Sequence, residues 1–150
     1  MKKRYAILLI ILLILTLSIF YYKKSNTYKS YNFEFEYDEA MNFQFEMPDN
    51  WKDKVWIESS TDTNGAKIEF YYSEFKSPHG YFQPFFSIET FRKSQLDSSI
   101  KESNIIKETD YYIMYIFRDI DSVLIGDDII EEYRNLQIDN REIKRRIKFK

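Results

Sequence analysis

Between Tyr5 and Tyr22 the chain carries no charged side chain, and Ile and Leu dominate the run. About 18 apolar residues reach the short limit for a membrane-spanning helix. Hydrocarbon offers no partner for peptide groups, and a helix satisfies them locally. The predicted organisation is a basic cytoplasmic start over residues 1–4, a transmembrane anchor over 5–22, a polar linker over 23–30 and an extracytoplasmic domain over 31–150. Two other readings compete. A cleaved secretory signal needs small residues just beyond the apolar core, but Thr16 and Ser18 lie inside it and Phe20-Tyr21-Tyr22-Lys23-Lys24 follows. A buried soluble helix would not need so long an uncharged run. The uncleaved anchor is preferred.

Orientation follows the excess of positive charge on the cytoplasmic side. Lys2, Lys3, Arg4 and the terminal amine precede the run, against Lys23, Lys24 and Lys29 after it, a small bias. Phe20, Tyr21 and Tyr22 suit an interfacial aromatic belt. The expected location is the plasma membrane, single-pass, with the N-terminus inside and the C-terminal domain outside.

Three of the 22 basic residues and none of the 24 acidic ones lie in 1–22, so the remaining 128 residues carry a net charge of about −5. That balance argues against a nucleic-acid partner, and 128 residues suffice to bury one core. Cysteine is absent, which removes disulfides, thiolate nucleophiles and cysteine metal sites. Thirteen Tyr and thirteen Phe, against three Gly and three Pro, favour sheet over disorder.

Tyr31, Phe33, Phe35 and Tyr37 alternate with polar residues, and Phe43, Phe45 and Met47 repeat the pattern after Asp38-Glu39-Ala40-Met41. Period-two alternation places each set on one face of a strand, and the short connection fits a hairpin. Val55–Glu58 is a further strand, Asp62-Thr63-Asn64-Gly65 a turn, and Ile68, Phe70 and Tyr72 again share a face. Phe85–Phe91 forms another strand, and Ser94 is placed to cap a short helix holding Leu96 and Ile100. Residues 104–107 and 111–117 form a hairpin around Thr109-Asp110, and the second strand is apolar on both faces. Residues 128–137 read as a helix with Ile129, Ile130, Tyr133 and Leu136 on one stripe and Asp128 with Glu131 as a capping box. Asp139 with Glu142 opens a last helix bearing Ile143 and Ile147. The fold class is α+β: one antiparallel sheet of about six or seven strands with one or two C-terminal helices packed on it.

Phe45-Glu46-Met47-Pro48-Asp49-Asn50-Trp51 carries an F-x-x-P-x-x-W pattern, and Phe86-Ser87-Ile88-Glu89 an F-S-I-E strand. With Ile68–Tyr71, the aromatic strand Tyr111–Ile116 and the Glu132-Tyr133 pair, the chain resembles small uncharacterised exported or membrane-anchored proteins of low-GC Gram-positive bacteria. The likeness spans about residues 43–137. It departs at Arg118-Asp119-Ile120-Asp121, where such proteins often have a Pro-Thr-Asp turn, and in its peptide anchor, where many have a lipidated cysteine. More distantly the layout is similar to the PsbP/Mog1-like sandwich. The resemblance implies an envelope location and no activity, because a fold alone assigns none.

No catalytic residue emerges. His79, the only histidine, sits between Pro78 and Gly80 and reads as a loop residue. Asp119, Asp121, Asp127, Asp128, Glu131 and Glu132 lack the spacing of a calcium loop and suit a helix N-terminus instead. No metal site and no cofactor are expected. Paired carboxylates for glycoside hydrolysis must face each other across a cleft, and the spacing of the acids selects no pair. The least periodic aromatics, Trp51, Trp56, Tyr81, Phe82 and Phe85, form the candidate exposed binding patch. The basic tail, Arg141, Lys144, Arg145, Arg146, Lys148 and Lys150, reads as a solvated helix end, with contact to anionic lipid as the competing reading. The functional expectation is a non-enzymatic, membrane-anchored extracytoplasmic binding or accessory domain whose partner is another envelope protein or a wall component. The alternative is a cell-envelope hydrolase using an unrecognised acidic pair.

Overall fold

Alternating aromatics make strands because a pleated backbone sends successive side chains to opposite faces. The computed structural model describes residues 10–18, 29–76, 82–96, 100–118 and 127–150, with the side chains of 74–76, 82–83 and 127–130 excluded. Residues 10–18 form helix α1. Strands β1 (Ser30–Phe33), β2 (Phe43–Glu46), β3 (Val55–Asp62), β4 (Gly65–Lys76), β5 (Phe82–Arg92), β6 (Ile105–Glu108) and β7 (Tyr112–Phe117) follow. Helices α2 (Asp127–Leu136) and α3 (Asn140–Arg146) precede a last strand, β8 (Ile147–Phe149).

The class is α+β with antiparallel pairing, as expected, but the strands divide into two sheets rather than one. The smaller has the order β1-β2-β8 and the larger β3-β4-β5-β7-β6. The division has a packing cause. Phe33, Phe43 and Phe45 on the small sheet face Ile68, Phe70, Phe86, Ile88, Met114 and Ile116 on the large one, and all belong to one buried cluster. Phe45 meets Phe70 edge-on at 5.2 Å, and Phe35 meets Tyr112 at 5.0 Å. Two apolar faces that would each remain wet are buried against one another.

β8 extends neither helix nor tail. Ile147 pairs with Phe45 and Phe149 with Phe43, completing the small sheet. The expectation that Ile147 continues the last helix is therefore corrected: α3 ends at Arg146 and Ile147 is extended. The expected short helix capped by Ser94 does not hold Leu96: a 3-10 turn covers Lys93–Gln95 and Leu96 is extended, while residues 97–99 lie outside the described residues. α2 includes both Asp127 and Asp128, so Asp128 lies inside the helix rather than at its cap. The expected Asp139 cap is present, accepting from the Glu142 backbone N–H at 2.7 Å.

The turn between β3 and β4 centres on Thr63-Asn64, with Asp62 opposite Gly65. Asp62 Oδ1 accepts from the backbone N–H groups of Asn64 and Gly65. Gly65 is required by the next strand: a Cβ there would lie 1.9 Å from the Thr90 carbonyl oxygen.

Among the described residues no helix is long and apolar enough to cross a membrane. Of the predicted anchor over 5–22, only α1 is described. Residues 23–28 of the linker expected over 23–30, together with His79, Tyr81, Asp119 and Asp121, lie outside the described residues, and Ser30 already belongs to β1.

Candidate functional site

The inner face of the large sheet is core, so chemistry on that sheet belongs to its outer face. Register builds that face row by row. Trp56 stands opposite Tyr71. The next row is Glu58, Glu69, Ser87 and Phe117, and the next Ser60, Lys67, Glu89, Tyr115 and Ile105. The last is Asp62, Gly65, Phe91, Ile113 and Glu108.

Two aromatic pairs bracket a polar centre. Trp56 and Tyr71 stack with centroids 5.2 Å apart and planes 7° apart. Phe91 and Tyr115 stack at 6.2 Å. Between them Glu89 is nearly buried, an arrangement that demands polar partners. Its Oε1 accepts from the Ser87 hydroxyl at 2.9 Å, and its Oε2 from the Tyr115 hydroxyl at 2.9 Å. Lys67 pairs with Glu69 at 2.8 Å and lies 3.9 Å from Glu89. At the hairpin end lies an open cavity of about 250 Å³ lined by Ser60, Asp62, Gly65, Lys67 and Phe91.

These neighbours displace two tyrosines. Burial, with the charge and hydrogen bond of Glu69 and the charge of Glu58, pushes the Tyr71 hydroxyl up to about 12. Burial and then the Glu89 carboxylate push Tyr115 further in the same direction. Both phenols therefore remain neutral donors at ordinary pH.

The expected patch is split by the structure. Trp51 is fully buried and Phe85 nearly so, and they pack on each other at 5.2 Å, so neither belongs to an exposed surface. Both escape period two for structural reasons: Trp51 ends a 3-10 turn, and Phe85 sits where the β4–β5 register slips. Trp56 alone among the described side chains of that set stands on the outer face. Tyr81 lies outside the described residues, and Phe82 begins β5 with its side chain not described. Tyr71, Phe91 and Tyr115 were missed. Their signal was available: aromatics in the off-phase positions of strands whose in-phase positions already form a core.

A second polar group surrounds α2. Glu132 pairs with Lys54 and accepts from the Tyr72 hydroxyl at 2.8 Å, while Tyr133 packs on Phe85. The acidic-aromatic pair is thus a helix attachment. Among the described residues no three His, Cys, Asp or Glu side chains are placed to hold a metal ion. Among those residues, the carboxylates with resolved shifts are all held low by cations: Glu46 by Lys148, Glu132 by Lys54 and then Tyr72, Glu142 by Arg145. A general acid needs the opposite displacement. In the basic tail, Arg145 and Arg146 pair with Glu142, Lys148 with Glu46 and Lys150 with Glu34. Four of its six cations are thereby partly neutralised.

Comparison with family models, with curated proteins and with solved structures finds no match to this chain.

Proposed function

We propose that this protein is a single-pass, membrane-anchored extracytoplasmic domain that binds an envelope component through the outer face of its large sheet. The observation that carries the anchor is α1. Ile10, Leu12, Leu13 and Leu17 are 58, 63, 60 and 60% exposed. A helix apolar on every side belongs in an apolar medium. The nine described helical residues span about 14 Å, and the uncharged run from Tyr5 to Tyr22 would extend that to about 27 Å, close to the hydrocarbon thickness. The aromatic pairs and carboxylates of the outer face support a binding role.

The test is fractionation of cells expressing the full chain, followed by protease treatment of intact cells. The expected result is retention in carbonate-washed membranes and loss of the C-terminal domain to external protease. Release into the aqueous fraction, or full protection of the domain, overturns the proposal.

A further inference from the structure

The outer face combines three features that a solvated sheet does not need. The Trp56–Tyr71 pair stands at one end, and the Phe91-walled cavity over Gly65 at the other. They are separated by six residues of β4, about 20 Å along the strand. Between them Glu58 and Glu69 stand directly opposite each other on adjacent strands. Like charges so placed destabilise a sheet. Lys67 pairs with Glu69 and lies 3.9 Å from Glu89, while no described cation pairs with Glu58, which accepts from the Trp56 indole at 3.4 Å. With Asp62, Glu89 and Glu108, the rows carry five carboxylates against one lysine, and only Glu108 has a described cation from outside them, Lys93 at 2.8 Å. Such local conflicts concentrate at functional sites.

We infer that this face binds an extended glycan bearing free amino groups. The inference rests on the envelope-binding reading and names its ligand class. One sugar ring packs its C–H face against the Trp56–Tyr71 pair, an ammonium group sits between Glu58 and Glu69, and a further ring enters the cavity beside Phe91. The charge of the face selects a cationic ligand. The geometry selects a glycan over a basic peptide: peptides pair with sheet edges or fill grooves, whereas this site is spread over the face of a sheet, with aromatic pairs and a cavity along it. Its Glu89 carboxylate is already held by two hydroxyl donors, showing the kind of partner the row accepts.

The full chain in detergent micelles is titrated with a glucosamine oligomer, its fully N-acetylated counterpart and an oligolysine of equal charge, following tryptophan fluorescence and heat. The glucosamine oligomer is expected to bind and to perturb Trp56, the acetylated oligomer to bind at least about tenfold more weakly, and Glu58→Gln to cost a similar factor by removing a charge-assisted bond. Trp56→Ala should abolish the fluorescence response while circular dichroism stays unchanged. Binding of oligolysine as tightly as the glucosamine oligomer, or equal binding of both glycans, overturns the inference in favour of a peptide or a neutral glycan. Absence of glucosamine binding overturns it as well. That failure is separate from failure of the anchor reading, because membrane retention and protease accessibility are measured without any ligand.

Discussion

The indole Nε1–H of Trp51 donates to the Leu136 carbonyl oxygen at 2.7 Å, tying the turn after β2 to the last residue of α2. Helix C-termini leave carbonyls without intrahelical partners, and here a buried side chain supplies one. Asn50 makes the neighbouring bond, from its Nδ2 to the Asn135 carbonyl at 2.8 Å. The same indole is wedged among Phe45, Phe70, Phe85 and Phe86. The tryptophan of the F-x-x-P-x-x-W pattern is thus a clamp between sheet and helix. Trp51→Phe keeps most of the packing and strands the carbonyl, at a cost of about 1–3 kcal/mol. Trp51→Ala adds a cavity, for a total of about 3–5 kcal/mol. Urea unfolding should rank the two in that order; equal midpoints would remove the hydrogen bond from the account.

Gly65 and Thr90 are in closer approach than any side chain allows, since a Cβ would meet backbone atoms and not a movable side chain. Gly65→Ala is expected to destabilise by about 1–3 kcal/mol, as overpacking does. Thermal unfolding of the variant at the wild-type temperature would contradict the geometry.

The core faces were legible in the sequence because period two is a strong signal. Ile68, Phe70 and Tyr72 are buried as their alternation requires, and β7 has neighbours on both sides, as its two apolar faces imply. What failed was reading irregular aromatics as surface. Phe85 breaks the period through a register slip beside Pro84, which cannot donate to the ladder, and the bulge turns it inward. β8 was illegible for another reason. Ile143 and Ile147 are four apart, a helical spacing, and only pairing with β2 forces Ile147 into extended form. The division into two sheets likewise depends on long-range packing, to which local pattern is blind. The outer face is half legible: Trp56 stands out by breaking the period, while its partner Tyr71 lies in a strand whose alternate residues write a core face.

Acid should weaken this fold through three named carboxylates. Glu46, Glu132 and Glu142 each have a folded-state pKa below the ordinary 4.5, caused first by Lys148, Lys54 and Arg145 respectively. A lowered folded pKa means that the unfolded chain binds protons more readily. The stabilising contribution is therefore fully present above about pH 4.5 and is lost as pH falls through the lower folded values. Urea midpoints should hold steady from pH 7 to 5 and drop below that. Glu132→Gln and Glu142→Gln should each flatten the acid limb; an unchanged slope in the double variant would show that these pairs are solvated away.

Alkali should act through the outer face with the opposite sign. Tyr71 is raised to about 12, by burial and then by Glu69, and Tyr115 is raised further by burial and Glu89. The unfolded chain releases these protons near pH 10, so the neutral phenols stabilise the folded state fully below that pH. The contribution is lost as pH rises through the folded values. Ultraviolet titration of the native protein should show a fraction of tyrosine ionising well above pH 10, reduced in Tyr71→Phe and reduced again in Tyr71→Phe/Tyr115→Phe. Glu89→Gln should bring the Tyr115 fraction down by removing the negative charge; the amide oxygen keeps one of the two hydroxyl contacts, and the other hydroxyl must turn to accept from the amide NH2. If all tyrosines ionise together near pH 10 in the folded protein, the row joining Lys67, Glu89 and Tyr115 is not assembled as described, and the outer face loses its polar centre.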